Sequence, residues 1–138
     1  MWIFLDGKNK KKIQWLKDFQ DTLNKFMDQV TKITKDPVHG GNLTLYDRFG
    51  KEYLNKEREL MNIIPISDHD RDLLRSFLDE DINWRKLHVK FWELNSNDPE
   101  RNYYMIQMRS QEINIRRAFE LLSNALTKHI ENLKHTEN

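Results

Sequence analysis

The sequence predicts an all-α protein: an antiparallel up-down four-helix bundle with long third and fourth helices. Three observations carry that expectation. Four segments repeat apolar residues at helical spacing. No run alternates apolar and polar residues, and no Asn-Gly or Asp-Gly pair sits between two such runs. The last two helical segments are separated only by Ser96, Asn97 and Asp98, a connection too short for anything but an antiparallel hairpin.

The first helix is expected over 10–35. Its apolar stripe is Leu16, Phe19, Leu23, Phe26, Val30 and Ile33, alternating steps of three and four as in a heptad seam. Asp21 with Lys25 and Asp28 with Lys32 are four apart on the outer face, each pair contributing ~0.2–0.5 kcal/mol. The helix ends before Asp36-Pro37, because the residue before a proline resists the α conformation. Residues 36–42, DPVHGGN, form a loop.

The second helix is expected over 44–62, with Thr44 and Asp47 as its capping pair. Tyr46, Phe49, Tyr53, Leu60 and Met61 make its apolar face, and Pro65 lies just beyond it. Gly50 inside the pattern costs ~1 kcal/mol relative to alanine. This is the shortest helix, so part of its longer neighbours stays uncovered and available to a partner.

The third helix is capped by Ser67, with Asp68 and Asp70 favouring its positive end, and runs to about residue 95. One stripe is Leu73, Phe77, Trp84, Leu87, Phe91 and Leu94. A second is Leu74, Leu78, Ile82, Val89 and Trp92. Two apolar faces make it the central element. The fourth helix opens on Asp98 as cap and Pro99 at its first position and runs to about residue 134. Its stripe is Met105, Met108, Ile115, Phe119, Leu122, Leu126, Ile130 and Leu133. At ~1.5 Å per residue it spans roughly 50 Å, long enough for its ends to project or to pair with another chain.

All of this fits one helical domain over 1–138, with an apolar and basic arm at 1–9 and a frayed tail at 135–138. The chain has 138 residues, 11% aromatic, with four Trp and seven Phe, enough to bury roughly 68% of its unfolded surface. Only Ala118 and Ala125 are alanine, while Lys and Asn abound. That bias fits an AT-rich genome, and its physical consequence is a bulky core that holds helices apart.

Composition excludes several functions. No Cys is present, so there is no disulfide framework, thiol nucleophile or Cys-based zinc site. No apolar run approaches the ~18–20 residues that span a bilayer. In the N-terminal MWIFLDGKNKKK the apolar residues precede the charged ones and number four, the reverse of a secretory signal, so the expected location is the cytoplasm of a bacterium or of an infected host cell. The net charge of +1 argues against a protein that coats nucleic acid. Gly7, Gly40, Gly41 and Gly50 cannot be written as a phosphate-cradling loop. The five histidines include no H-x-x-x-H pair. The cluster Asp79-Glu80-Asp81 reads as a solvated face with Asp81 paired to Arg85, and Asp68-His69-Asp70 as helix capping. No catalytic residue, metal ligand or cofactor is expected.

Two features stand above that background. Lys8, Lys10, Lys11 and Lys12 follow Trp2-Ile3-Phe4-Leu5; residues 1–35 hold eight Lys against four Asp, a local charge of +4. Lysines at a helix start oppose its dipole, so helix stability does not explain them. Trp84, His88 and Trp92 fall on one face at i, i+4 and i+8, with Arg85 beside them. Exposed, that strip would be an interface hot spot; buried, it is core. The expected function is a non-catalytic helical interaction or regulatory protein, of the accessory or inhibitory kind carried by phages and mobile elements. It would dock on a protein partner through Trp2, Phe4, Lys10, Lys11, Lys12, Trp84, Arg85, His88 and Trp92, with a homo-oligomer compatible with the same surfaces. The alternative is a nucleic-acid binder using the lysines of the first helix. A second alternative is a small enzyme with a carboxylate or metal site inside the bundle.

Overall fold

The computed structural model describes residues 2–44, 46 and 68–135, with side chains described from Asn9 onward. Those residues are all-helical and contain no strand. They form three long helices: α1 (Trp2–Lys35), α2 (Asp68–Glu93) and α3 (Glu100–His135). Here α2 and α3 are the third and fourth helices predicted from sequence. The second predicted helix, with its Asp47 cap partner, Gly50 and Pro65, lies outside the described residues except at its start, where residues 44 and 46 have helical backbone. The Ser67 cap lies outside them too.

The six-residue stripe read in the first helix is buried throughout, from Leu16 to Ile33, joined by Met27. The predicted ion pairs form at the surface, Lys25 to Asp21 at 3.2 Å and Lys32 to Asp28 at 2.8 Å. One boundary differs. The helix begins at Trp2 instead of near residue 10, so the segment expected as an arm continues α1. The early start also removes the conflict with the dipole: Lys8–Lys12 lie beyond the first turn, where the macrodipole has faded. It provides a partner for the far end of α3 as well, because Asn9 Nδ2 donates to the Leu133 carbonyl at 3.3 Å.

Helix α1 stops where Pro37 prevents continuation, and the loop that follows folds back on it. The Asp36 carboxylate accepts from the backbone N–H of His39 (3.1 Å) and Val38 (3.2 Å). The Gly40 N–H donates to the Asp36 carbonyl at 2.6 Å. The Asn42 N–H reaches Gln29 Oε1 at 2.6 Å. Both glycines are required. A Cβ on Gly40 would lie 2.0 Å from the Lys32 carbonyl oxygen, and Gly41 adopts φ +69° with Ile33 Cγ1 only 2.6 Å from where its Cβ would be.

At the other turn, Asp98 Oδ1 accepts from the Glu100 N–H at 2.9 Å, so Asp98 caps α3 as the sequence indicated, while the helix begins at Glu100, one residue after the expected first position at Pro99. The side-chain bridges set the directions. Gln111 of α3 donates to the Glu80 carbonyl of α2, and Arg101 Nε to the Phe91 carbonyl. Gln20 of α1 donates to Ser123 and Thr127 of α3. Thus α3 runs antiparallel to both neighbours. Its inner face, Met108, Ile115, Ala118, Leu122, Leu126 and Ile130, is buried between them.

The backbones of α1 and α2 nowhere approach within 8 Å, Cα to Cα, among the described residues, whereas each packs on α3. Aromatic rings fill the gap. Phe26 stacks on Tyr46 (5.1 Å) and meets Phe77 edge-on (5.8 Å), and Tyr46 lies 5.2 Å from Trp84. Large rings hold the two helices at a diagonal, the consequence expected of a core with almost no alanine.

Candidate interaction surface

The Trp84-His88-Trp92 strip runs from the core to the surface. Trp84 is fully buried, and its Nε1–H donates to Thr34 Oγ1 at 2.9 Å. Thr34, itself buried, donates onward to the Val30 carbonyl at 2.7 Å. The Trp84 ring stacks on His88 at 5.2 Å, nearly parallel. His88 is 6% exposed, and its Nε2 accepts from Trp92 Nε1–H at 3.1 Å, which places the imidazole proton of the neutral ring on Nδ1. Only Trp92 emerges, 45% exposed. The Arg101 guanidinium lies 5.2 Å from its ring and 4.6 Å from Phe91, so Trp92 is held rigidly at the tip of the α2–α3 hairpin.

Arg85 is half-buried and turned inward. Its Nε donates to the Tyr46 hydroxyl at 3.1 Å, and that hydroxyl donates to Asp81 Oδ1 at 2.8 Å. The acidic cluster is therefore not one solvated face. Asp79 is exposed, Glu80 accepts from Gln111 of α3, and Asp81 points into the α1–α2 gap. Burial pushes the Asp81 carboxyl up to about 6, against the opposing pull of the Tyr46 hydrogen bond and the Arg85 charge. Burial likewise raises the Tyr46 phenol, and the charge of Asp81 adds to the rise.

The remaining sequence candidates are dispersed. Lys10 and Lys11 are exposed and Lys12 half-buried on α1, far along the bundle from Trp92. The side chains of Trp2 and Phe4 lie outside the described residues. Arg116 is used internally: its Nη2 donates to Glu112 Oε1 at 2.9 Å and to Thr31 Oγ1, tying α3 to α1.

No three His, Asp or Glu side chains converge to hold a metal ion among the described residues. His69, Asp70 and His129 line an open groove of about 450 Å³ between α2 and α3, where His129 Nε2 is enclosed without a hydrogen-bond partner among the described residues. None of the helices is long and apolar enough to cross a membrane among the described residues.

Sequence reasoning overlooked a second surface. Tyr103, Ile106, Ile113 and Leu121 of α3 are 53–62% exposed. Their positions fall within about 80° of one another around the helix, opposite the buried stripe. The signal was present as apolar residues left over once the inner stripe of that helix had been assigned. On α2 the second predicted stripe divides: Leu74 is buried, Leu78 partly buried, and Ile82, Val89 and Trp92 are about half exposed.

Searches against protein-family models, curated proteins and solved structures find no match to this chain.

Proposed function

We propose that this chain is a non-catalytic helical interaction protein that docks on a protein partner through the tip of the α2–α3 hairpin. The observation that carries this reading is Trp92: an indole 45% exposed, yet fixed by His88 below and Arg101 beside it. A rigid, amphipathic aromatic ring with a paired guanidinium is the combination that dominates interface energetics, because little side-chain entropy remains to be lost on binding. Val89, one turn before it on the same helix and 49% exposed, extends the apolar surface around it.

The reading includes the four-helix bundle. Helices α1 and α2 lie diagonally across α3, run parallel to each other and leave one corner between them. Tyr46 enters that corner. From its level beside Asp81 to the start of α2 at Asp68 is 13 residues of helix, ~20 Å, which the 21 residues between Tyr46 and Asp68 can return along in helical form. The small accessory or inhibitory role, and a cytoplasmic site of action, belong to the same proposal and rest on composition alone.

The test is site-specific photo-crosslinking in the cell of origin, with a benzophenone amino acid at the exposed position Val89, one turn from Trp92, and, as control, at the exposed position Lys25. A discrete adduct from position 89 that is absent from position 25, and lost on Trp92→Ala, supports the reading. Identical adduct patterns from the two positions, none from position 89, or an adduct indifferent to Trp92→Ala overturns it.

A further inference from the structure

Taking the Trp92 tip as the docking surface, a reading on which this rests, we infer that the partner presents an Asp or Glu side chain beside an apolar residue, and that Arg101 takes the carboxylate.

Arg101 is the second residue of α3 and is half-buried. Its guanidinium carbon sits 4.6 Å from the centre of the Phe91 ring and 5.2 Å from that of Trp92. Its Nε donates to the Phe91 carbonyl at 3.3 Å. The rings restrict the plane of the group, and the Nε bond restricts its rotation within that plane. A guanidinium carries its N–H donors in a rigid fork, and here only the Nε donor is taken. Nη1 and Nη2 have no hydrogen-bond partner among the described residues, and neither is closed off from solvent. Two parallel N–H groups therefore remain along the end of the fork. That edge matches the two oxygens of a carboxylate.

The hairpin does not supply this carboxylate itself. Three acidic residues stand near its tip. Glu93 lies 3.5 Å from Lys90. Asp98 caps α3, its Oδ1 accepting from the Glu100 N–H. Glu100 is one residue before Arg101, so its Cβ leaves the helix about 100° away. Arg101 forms no ion pair among the described residues. Holding Trp92 uses the face and the Nε side of the guanidinium, and the end of the fork is left over.

A guanidinium already fixed in the free protein has less side-chain freedom to lose when it pairs. The Phe91 and Trp92 rings also cover part of it, so a charge pair formed there is screened less than one on an open surface. A carboxylate seated on Arg101 brings the residue beside it over the indole, with Val89 one turn further along α2. The tip thus reads an acidic and an apolar side chain together. An amide in place of the acid offers one oxygen and no charge, and loses the second bond.

Random peptide display against the full chain tests this, with linear peptides as the probe and Trp92→Ala as the counter-selection. The binders that need Trp92 should carry Asp or Glu next to a large apolar residue. For the tightest of them, fluorescence polarisation should show about tenfold weaker binding when the acid is changed to its amide, and a similar loss with Arg101→Gln. In the Arg101→Gln protein the acid-to-amide change should have little further effect, because both changes remove the same contact. An equal loss in both proteins means that Arg101 only supports the indole, and overturns the inference. Binders that need Trp92 but carry no acid overturn it too, and leave the docking reading standing. Finding no binder that needs Trp92 overturns both.

Discussion

Replacing Asp81 by Asn should stabilise the protein above neutral pH and leave it almost unchanged near pH 4. The carboxyl group sits in the α1–α2 gap with its charge only partly compensated, and burial raises its folded pKa from 3.8 to about 6. The sign follows from linkage. Between those two values the folded state holds the proton more tightly than the unfolded chain, so this group's contribution to stability falls as pH rises from about 4 to about 6 and stays at its lower level above that. A rise of about 2 units corresponds to about 3 kcal/mol. The asparagine amide keeps an oxygen to accept from the Tyr46 hydroxyl, and the charge-assisted part of the wild-type bond is already contained in that shift. The gain at pH 8 is therefore ~3 kcal/mol. With ~2.1 cal/mol/K of unfolding entropy per residue, a chain of this length should melt ~10 °C higher. Thermal unfolding followed by circular dichroism at pH 4, 5, 6, 7 and 8, for wild type, Asp81→Asn and the exposed neighbour Asp79→Asn, reads the difference directly. A difference between D81N and wild type that does not change with pH, or a D81N protein less stable than wild type at pH 8, would show that the Asp81 charge is not buried at a cost.

Three further substitutions check the packing. Trp84→Ala removes the largest fully buried side chain and should cost ~3–5 kcal/mol, the Thr34 hydroxyl keeping its bond to the Val30 carbonyl, whereas Thr34→Val leaves the indole N–H unpaired and should cost ~1–3 kcal/mol; urea denaturation separates the two. Gly40→Ala forces a methyl group onto the Lys32 carbonyl and should destabilise by more than Gly41→Ala, whose closest clash is with the end of the Ile33 side chain; both are read as melting temperatures. Asp98→Ala removes the cap of α3 and should cost ~1 kcal/mol, while Asp98→Asn should retain most of the stability.

The helices were legible because their evidence is local. The six-residue seam of α1, the Asp98-Pro99 start of α3 and the loop at 36–42 each follow from spacings of four residues or fewer. The early start of α1 was not legible, because Lys8–Lys12 look like a poor helix beginning until Trp2 is known to begin it. Neither was the fate of the Trp84-His88-Trp92 strip. Periodicity places three side chains on one face but does not set the depth of that face; depth came from Thr34 and Tyr46, 50 and 38 residues away from Trp84. The Asp81–Tyr46–Arg85 network was invisible for the same reason. Asp81 and Arg85 are four apart and pair on paper as a surface couple, and only the arrival of Tyr46 turns both inward.

The outer face of α3 shows the other limit. Its inner stripe accounts for the stability of the bundle, so leftover apolar residues on the same helix looked like noise, as scattered exposed aliphatics usually are. Four of them within one 80° arc are harder to dismiss. Lys or Glu at Ile106 and Ile113 would solvate the helix at no cost to the core, since both side chains are more than half exposed. A fold with no need of those residues for its own packing, yet carrying them in line, points to a function of the surface and not of the interior. That asymmetry gives the two faces opposite mutational signatures. Charged substitutions at Ile115 or Leu122 should unfold the chain, and the same substitutions at Ile106 or Ile113 should leave its melting temperature within about 1 °C at low micromolar concentration, changing only what it binds.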